Sequence, residues 1–487
     1  MKRAAVVALL LLSGCEVGPN YHAPPPLRGG APVPALASGQ AAVFDPEAPP
    51  PADWWRIYND PVLDGLEKKA LVRNTDLRVA FASLEQAQAT LNEIRGERLP
   101  QTSLSINPTY GQGSADAAGA PKALEPSPFY AAMENISYDL DLFGRLRRSL
   151  EAGRASVGAA AAALDLARVN VAGETAGAYA SACTAGLEIA VTRRSITLAR
   201  QILDVTEQRY EGGVQGFNDV VRARTVLRQT AAALPALIGQ QRAALFLLAT
   251  LTGDPPEEFP PAVARCDTPP VIREPIPIGD GATLLARRPD VREAERNLAA
   301  AVAGIGVSTA ALYPSVTLGG GFGTEAAKLS HITEARAFVW NIGPLISWNF
   351  PNLSIARAQL AASSAAARQA LASFDGTVLT ALRETETALT NLAQQLDTEN
   401  QLAAARDDAT LARINTMKLY QGGIGAFLDV LSAEQTEIQA ENTLAQATAQ
   451  VAQDQVSLFM ALGGGWQNAP AVAATSLKPV TGAARAR

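Results

Sequence analysis

Histidine is almost absent from this chain, with only His22 and His331 in 487 residues. Neither stands at ligand spacing with another strong metal ligand, so an imidazole-held metal centre is not expected. Cysteine is scarce too, and Cys183 and Cys266 form no metal-spaced pair. They read as buried small apolar side chains rather than as a disulfide, although an oxidising compartment would permit one. Aromatic residues make up only 6% of the chain, too few for one thick globular core. Basic runs are missing, and the net charge is -6, which excludes the clustered cations that a nucleic-acid backbone demands. The stretch Gly319-Gly320-Gly321-Phe322-Gly323 lacks the Lys-Ser/Thr that completes a phosphate loop, and it falls in a predicted strand. No catalytic residue, cofactor or metal is expected, and the chain does not read as an enzyme.

What is present begins at the N-terminus. Lys2 and Arg3 precede an apolar run from Ala4 to Leu12, and Leu12-Ser13-Gly14-Cys15 follows with small residues before a cysteine. The run is too short to span a bilayer as a mature helix, and it reads as a secretory signal over 1–14. The Leu-Ser-Gly-Cys ending resembles the bacterial lipoprotein cleavage box, which implies acylation of Cys15 as the new N-terminus. Glu16 in the next position, in place of the aspartate associated with inner-membrane retention, favours delivery to the outer membrane. Residues 15–70 then hold a lipid anchor, a strap rich in Pro, Ala and Gly, and a first helix opening after Trp54-Trp55 near Pro61. The tail 467–487 has little apolar periodicity.

An internal duplication organises the rest. Leu71, Asp76, Arg78, Ala89, Pro100 and Leu104 recur as Leu285, Asp290, Arg292, Ala303, Pro314 and Leu318, at a constant separation of 214 positions. Further on, Tyr210-Glu211-Gly212-Gly213-Val214 with Phe217, Asp219 and Val220 matches Tyr420-Gln421-Gly422-Gly423-Ile424 with Phe427, Asp429 and Val430, 210 positions apart. Two repeats are therefore expected, over 71–260 and 281–466, joined by a linker over 261–280. Each carries a helix, two strands, a long helix and a return helix. The long helices are placed at about 145–211 and 353–421, and the return helices at about 217–252 and 427–463. Leu146 to Tyr210 contains no proline, and a helix of that extent is roughly 100 Å long at about 1.5 Å per residue. Val157, Leu164 and Val171 are seven apart, as are Leu382, Leu389 and Leu396, and as are Leu431, Ile438, Ala445, Ala452 and Phe459. That period predicts antiparallel coiled-coil pairs, turning at Gly212-Gly213 and Gly422-Gly423.

The strands show period two. Phe338, Trp340, Ile342, Pro344, Ile346, Trp348 and Phe350 alternate with positions that include Asn341, Ser347 and Asn349, giving one oily and one wet side. Leu104, Ile106 and Tyr110 alternate with Ser103, Ser105, Asn107 and Thr109. Tyr130, Ile136, Tyr138, Leu140 and Leu142 continue the pattern with Glu134 as an exception, and Val316, Leu318 and Phe322 supply a glycine-rich fourth strand. Strands are thus expected at about 102–111, 129–142, 315–323 and 337–350. Tyr110, Tyr138, Trp340 and Trp348 suit the membrane-facing aromatic belts of a barrel. Four strands cannot close a membrane barrel, because an open edge in lipid leaves backbone groups unpaired. Chains must pool their strands, and two of them would give a small filled barrel whereas three would give twelve strands and a lumen. The fold class is mainly α with a membrane β-barrel.

The lipobox with Val17-Gly18-Pro19-Asn20-Tyr21, Asp141-Leu142-Phe143-Gly144-Arg145, Arg287-Arg288-Pro289-Asp290-Val291-Arg292, Tyr313-Pro314-Ser315 and Ala461-Leu462-Gly463-Gly464-Gly465-Trp466 together resemble the outer-membrane lipoproteins of RND efflux systems, the NodT-type members of the TolC-like factors. The resemblance covers nearly the whole mature chain. It implies a homotrimer with a twelve-stranded barrel, a periplasmic helical tunnel, and docking through a periplasmic adaptor to an inner-membrane RND-type transporter. It also implies that Leu428 and Asp429, just past the second turn, line the narrow periplasmic entrance as an apolar and an acidic ring. Relatives often carry an aspartate three residues beyond Asp429, where this chain has Ser432. The competing role for Asp429 is to cap the return helix, which suits Asp219 better. A channel for type I protein secretion and a poreless periplasmic coiled-coil scaffold stand as the alternative functions.

Overall fold

The computed structural model describes residues 16–26, 36, 43–114, 116, 119, 121–123 and 125–473. The signal segment, Cys15 and the tail from 474 onward lie outside the described residues. In chain order the elements are β1 (Phe44–Asp45), a 3-10 turn (Trp54–Tyr58), α1 (Pro61–Arg73), α2 (Thr75–Gly96), β2 (Gln101–Gly111), β3 (Ser127–Asp139), α3 (Arg145–Glu211) and α4 (Phe217–Leu251). Then come α5 (Pro261–Ala264), β4 (Ile276–Pro277), α6 (Gly281–Arg287), α7 (Pro289–Ala310), β5 (Ser315–Ala326), β6 (Phe338–Ser347), α8 (Ser354–Gln421) and α9 (Phe427–Ala461). The chain is mainly helical, and it divides into two compact units.

One unit gathers the described part of Met1–Pro24 with Leu84–Ala160 and Glu293–Phe374. Its centrepiece is a four-stranded antiparallel sheet in the order β2-β3-β5-β6. β3 ends at Asp139, three residues short of the extent expected from its alternation. Asp141 adopts a left-handed φ of 48° and turns its carboxylate onto the start of α3, accepting from the backbone N–H groups of Leu146 (2.9 Å) and Arg147 (3.0 Å). Free amides at a helix start need such an acceptor, and satisfying them here ends the strand.

The other unit contains Pro25–Ser83, Ala161–Arg292 and Asp375–Arg487, as far as these are described. Trp54, fully buried, stacks on the equally buried Phe459 at 4.7 Å between ring centres. Gly464 and Gly465 make room for the Trp54 ring. A Cβ on Gly464 would come within 2.9 Å of Trp54 Cδ1, and Gly465 has φ 103°. The Arg-Arg-Pro-Asp-Val-Arg motif ties the same region together. Arg287 Nη2 donates to the Pro51 carbonyl (3.0 Å), Arg288 donates to the Ala461 carbonyl (3.0 Å) that ends α9, and Arg292 lies over the Trp466 ring at 4.9 Å.

The cysteines correct an expectation. Cys183 and Cys266 form a disulfide, with Cα atoms 4.7 Å apart, between α3 and the linker after α5. The linker lies so close to α3 that a Cβ on Gly186 would meet the Cys266 carbonyl oxygen at 1.9 Å. Gln455 of α9 holds it from another side, accepting from the Ile272 N–H (2.9 Å) and donating to the Ile272 carbonyl (2.7 Å). A thiol brought to disulfide distance in a secreted protein is oxidised, so the exported character of the chain outweighs the apolar tendency of cysteine.

Candidate functional site

The strand register decides which side chains share a face. Leu104, Glu134, Phe322 and Trp340 lie opposite one another across the four strands, so the even-numbered residues form one face. That face carries Tyr110, Tyr138, Ile342 and Ile346, all exposed, and Trp340 is 68% exposed. Ser103, Ser105, Asn107, Asn135, Asn341 and the glycines 319, 321 and 323 occupy the other. Several residues break the alternation, among them Phe129 on the wet side of β3. Glu134 sits in the oily row, and Leu345, which the period-two reading passed over, is on the wet side and 66% exposed. Trp348 lies just past β6, where its Nε1 donates to the Leu312 carbonyl (3.1 Å) and its ring stacks on Phe350 at 4.6 Å. An exposed apolar face of this size is unstable in water and suits lipid. Both outer strands, β2 of 11 residues and β6 of 10, have one hydrogen-bonded neighbour among the described residues.

Residues Glu16 to Tyr21 are clasped beside the end of β3 and the start of α3. Val17 N donates to the Phe143 carbonyl (3.3 Å). Arg148, 2% exposed, gathers the carbonyls of Val17 (3.2 Å) and Gly18 (3.3 Å) and the Asn20 side-chain oxygen (2.8 Å). It also forms ion pairs with Glu16 (3.2 Å) and Glu151 (2.7 Å). Gly18 has φ 90°, and a Cβ there would come within 2.5 Å of Gly306 Cα, so glycine is required by both conformation and space. Tyr21 donates its hydroxyl to the Glu295 carboxylate. The first described residue after Cys15 is thus held where the strands pass into α3.

The hairpin tips are built alike. Gly213 and Gly423 take left-handed φ values of 72° and 77°. Val214 N then donates to Arg209 O, and Ile424 N donates to Leu419 O, each at 3.0 Å, which closes the helix end. Gly212 and Gly422 precede these turns, and their N–H groups still bond four residues back, to Gln208 O and Lys418 O. Ile202, Leu203, Val220, Ala223, Tyr420, Phe427, Val430 and Leu431 pack one apolar cluster beneath both tips. A polar chain also joins them. Arg209 lies over the Tyr420 ring at 4.2 Å, the Tyr420 hydroxyl donates to Gln215 Oε1 (2.6 Å), and Gln215 donates in turn to Asp219 (3.3 Å). Sequence patterning did not anticipate this tie, because no motif pairs Tyr420 with Gln215.

Leu428 is 53% exposed and Asp429 is exposed beside it in the first turn of α9. The N-cap positions are Gly216 and Ala426, neither of which caps with a side chain. Both aspartates therefore sit in the first turn, where the helix dipole favours a carboxylate. Only Asp219 receives a neighbouring amide, since Gly425 stands where the first hairpin has Gln215.

A strand sheet with one oily face, joined to helices far longer than a bilayer is thick, defines an outer-membrane channel subunit. Apolar windows long enough to cross a membrane occur in α3 and α4, but α3 has 67 residues where a span needs about 20. The comparisons agree. The family model for outer membrane efflux proteins matches residues 66–254 and 282–464. Nodulation protein T of Rhizobium leguminosarum bv. viciae is 30% identical over 483 residues, covering 99% of this chain and 97% of that protein. Outer membrane protein OprJ of Pseudomonas aeruginosa is 28% identical over 464 residues, covering 95% of each chain. The solved outer-membrane channel OprN superposes with a TM-score of 0.87 at 34% identity, covering 93% of this chain and all of that one. The chain belongs to the outer membrane efflux protein family, of the nodulation protein T type. It is the outer-membrane channel component of a tripartite efflux pump.

Proposed function

We propose that three copies of this chain pool their strands into a twelve-stranded barrel in the outer membrane and their long helices into a periplasmic tunnel. The observation that carries this is the pair of outer strands, β2 and β6, each with one neighbour among the described residues, on a sheet whose even-numbered face is largely apolar. In lipid an unpaired strand edge costs several kcal/mol for each orphaned backbone group, so the edges must meet those of other copies. Two matches to one family model, and the near-equal lengths of α3 and α8 at 67 and 68 residues, support a monomer of two related halves, 71–260 and 281–466, around the linker 261–280. The wet face then lines a passive lumen through which small molecules leave, with selectivity set by width and charge rather than by covalent chemistry.

The anchor is Cys15, acylated once the segment 1–14 is removed. The clasp that begins at Glu16 supports this, because it fixes the following residues beside the strand exits. The tips carrying Leu428 and Asp429 form the periplasmic entrance, engaged by an adaptor that connects to an inner-membrane RND-type transporter. The test is native mass spectrometry of the detergent-solubilised protein, followed by reconstitution into planar bilayers. A trimer with stepwise conductance is expected, and a stable monomer retaining its strand content would refute the closure of the barrel between copies.

A further inference from the structure

Glu434, Glu437 and Glu441 follow one another at steps of three and four along α9, which places them on one face of the helix. On most helices such a face looks to water. This one points inward, with Glu434 fully buried and Glu437 only 4% exposed. The neighbouring helices offer few counter-charges. α8 supplies Arg413, which pairs with Glu437, and Arg406, whose charge acts on Glu441. α3 supplies Arg194, 3.9 Å from Glu441, and Arg193, and both line a cleft of about 410 Å³ bounded also by Arg413, Glu437 and Glu441. α4 enters through Val220, Ala223 and Val226 in the apolar cluster nearer the tip. The charges acting on Glu434 are therefore Arg413 and Glu437. With Arg413 engaged by Glu437, neither oxygen of Glu434 has a hydrogen-bond partner among the described residues.

We propose that Glu434 is a proton-operated clasp on the second hairpin: while its carboxyl is protonated α8 and α9 pack closely, and loss of the proton loosens them, so the hairpin opens more readily as pH rises. An ionised carboxylate at this place would give up its hydration and gain no hydrogen bond. Burial pushes the carboxyl from 4.5 up to about 7, against the attraction of Arg413 and aided by repulsion from Glu437. A folded pKa raised above that of the opened state means full stability below the lower value, lost as pH climbs towards the upper one. The open-to-packed ratio therefore rises by at most about tenfold per pH unit within that window and levels off above it. The proposal needs the hairpin tips to be the periplasmic entrance only for its meaning in transport.

Hydrogen–deuterium exchange on the full-length protein in detergent, from about pH 5 to about pH 8 and corrected for intrinsic base catalysis, reads the clasp directly. In the wild type, protection of peptides covering 428–441 should fall as pH rises. Glu434→Gln should hold the acid level of protection across the range. Glu437→Gln frees Arg413 for Glu434 and lowers the folded pKa alone, so the loss of protection should be smaller and should level off at lower pH, a readout that survives if the first variant folds poorly. Identical profiles for wild type and Glu434→Gln, or a wild-type profile flat with pH, would overturn the clasp. Bilayer conductance on the same samples separates the two readings. Absence of current at every pH with a pH-dependent exchange profile counts against the channel alone, whereas current with a flat exchange profile counts against the clasp alone.

Discussion

Arg148 illustrates how one side chain can set the course of a segment. Its guanidinium fans its donors across two carbonyls, an amide oxygen and two carboxylates, a planar geometry that lysine could not copy. From sequence the Val-Gly-Pro-Asn-Tyr run was legible as a motif but silent about its partner, since 128 positions separate Asn20 from Arg148. The aspartates past the glycine turns were legible in the same partial way. Their place in the first helical turn follows from the alignment of the halves, whereas the amide that engages Asp219 and not Asp429 depends on a single residue, Gln215 against Gly425. Asp429 is thereby left to face outward with Leu428. If these two line the entrance, Leu428→Ala should raise single-channel conductance by widening an apolar constriction, and Asp429→Ala should lower sensitivity to divalent cations. Unchanged currents in both variants and in the double variant would place the constriction elsewhere.

Regular elements were the most readable level, because period seven and period two each leave a direct mark on residue choice. α3 and α8 occupy the expected stretches, whereas β5 runs three residues further than its alternation suggests and β3 and β6 each stop three residues short, β3 because one aspartate turns onto a helix start. Irregular segments carry no such period. The linker between α5 and α6 is placed by a disulfide, by the amide of Gln455, and by Arg273, which Glu399 engages through two hydrogen bonds. Nothing in the spacing of Cys183 and Cys266 reveals their encounter, 83 positions apart. Closing a loop of that length restricts the unfolded chain by about 4.5 kcal/mol in the chain-entropy picture. Cys183→Ala with Cys266→Ala should therefore lower the melting temperature, and limited proteolysis should then cut first within 255–280. A reducing agent should reproduce the change in the wild type only. Equal melting and cleavage in both proteins would show that the other two clasps suffice.

For the molecule as a whole, the sequence makes association necessary and leaves the number of copies open, because strand edges state that a partner is missing but not how many. Lipid attachment belongs to this scale as well. Intact-mass measurement of protein from the outer-membrane fraction should show acyl mass on Cys15 and none on Cys15→Ser. The variant should still assemble, since the clasp from Glu16 to Tyr21 and the strands remain; a wild-type N-terminus unmodified or cut elsewhere would remove the anchor. The two outer strands also bear on how the protein is made. Until β2 and β6 find neighbours, a newly exported chain offers two open backbone edges beside an oily surface, the same features that template aggregation. If copies close the barrel together as proposed, such a chain gains from being held apart from others during its passage, and its maturation is a concentration-dependent encounter. Expression level then governs not only how many pores a cell has but how long each subunit stays at risk before it becomes part of one.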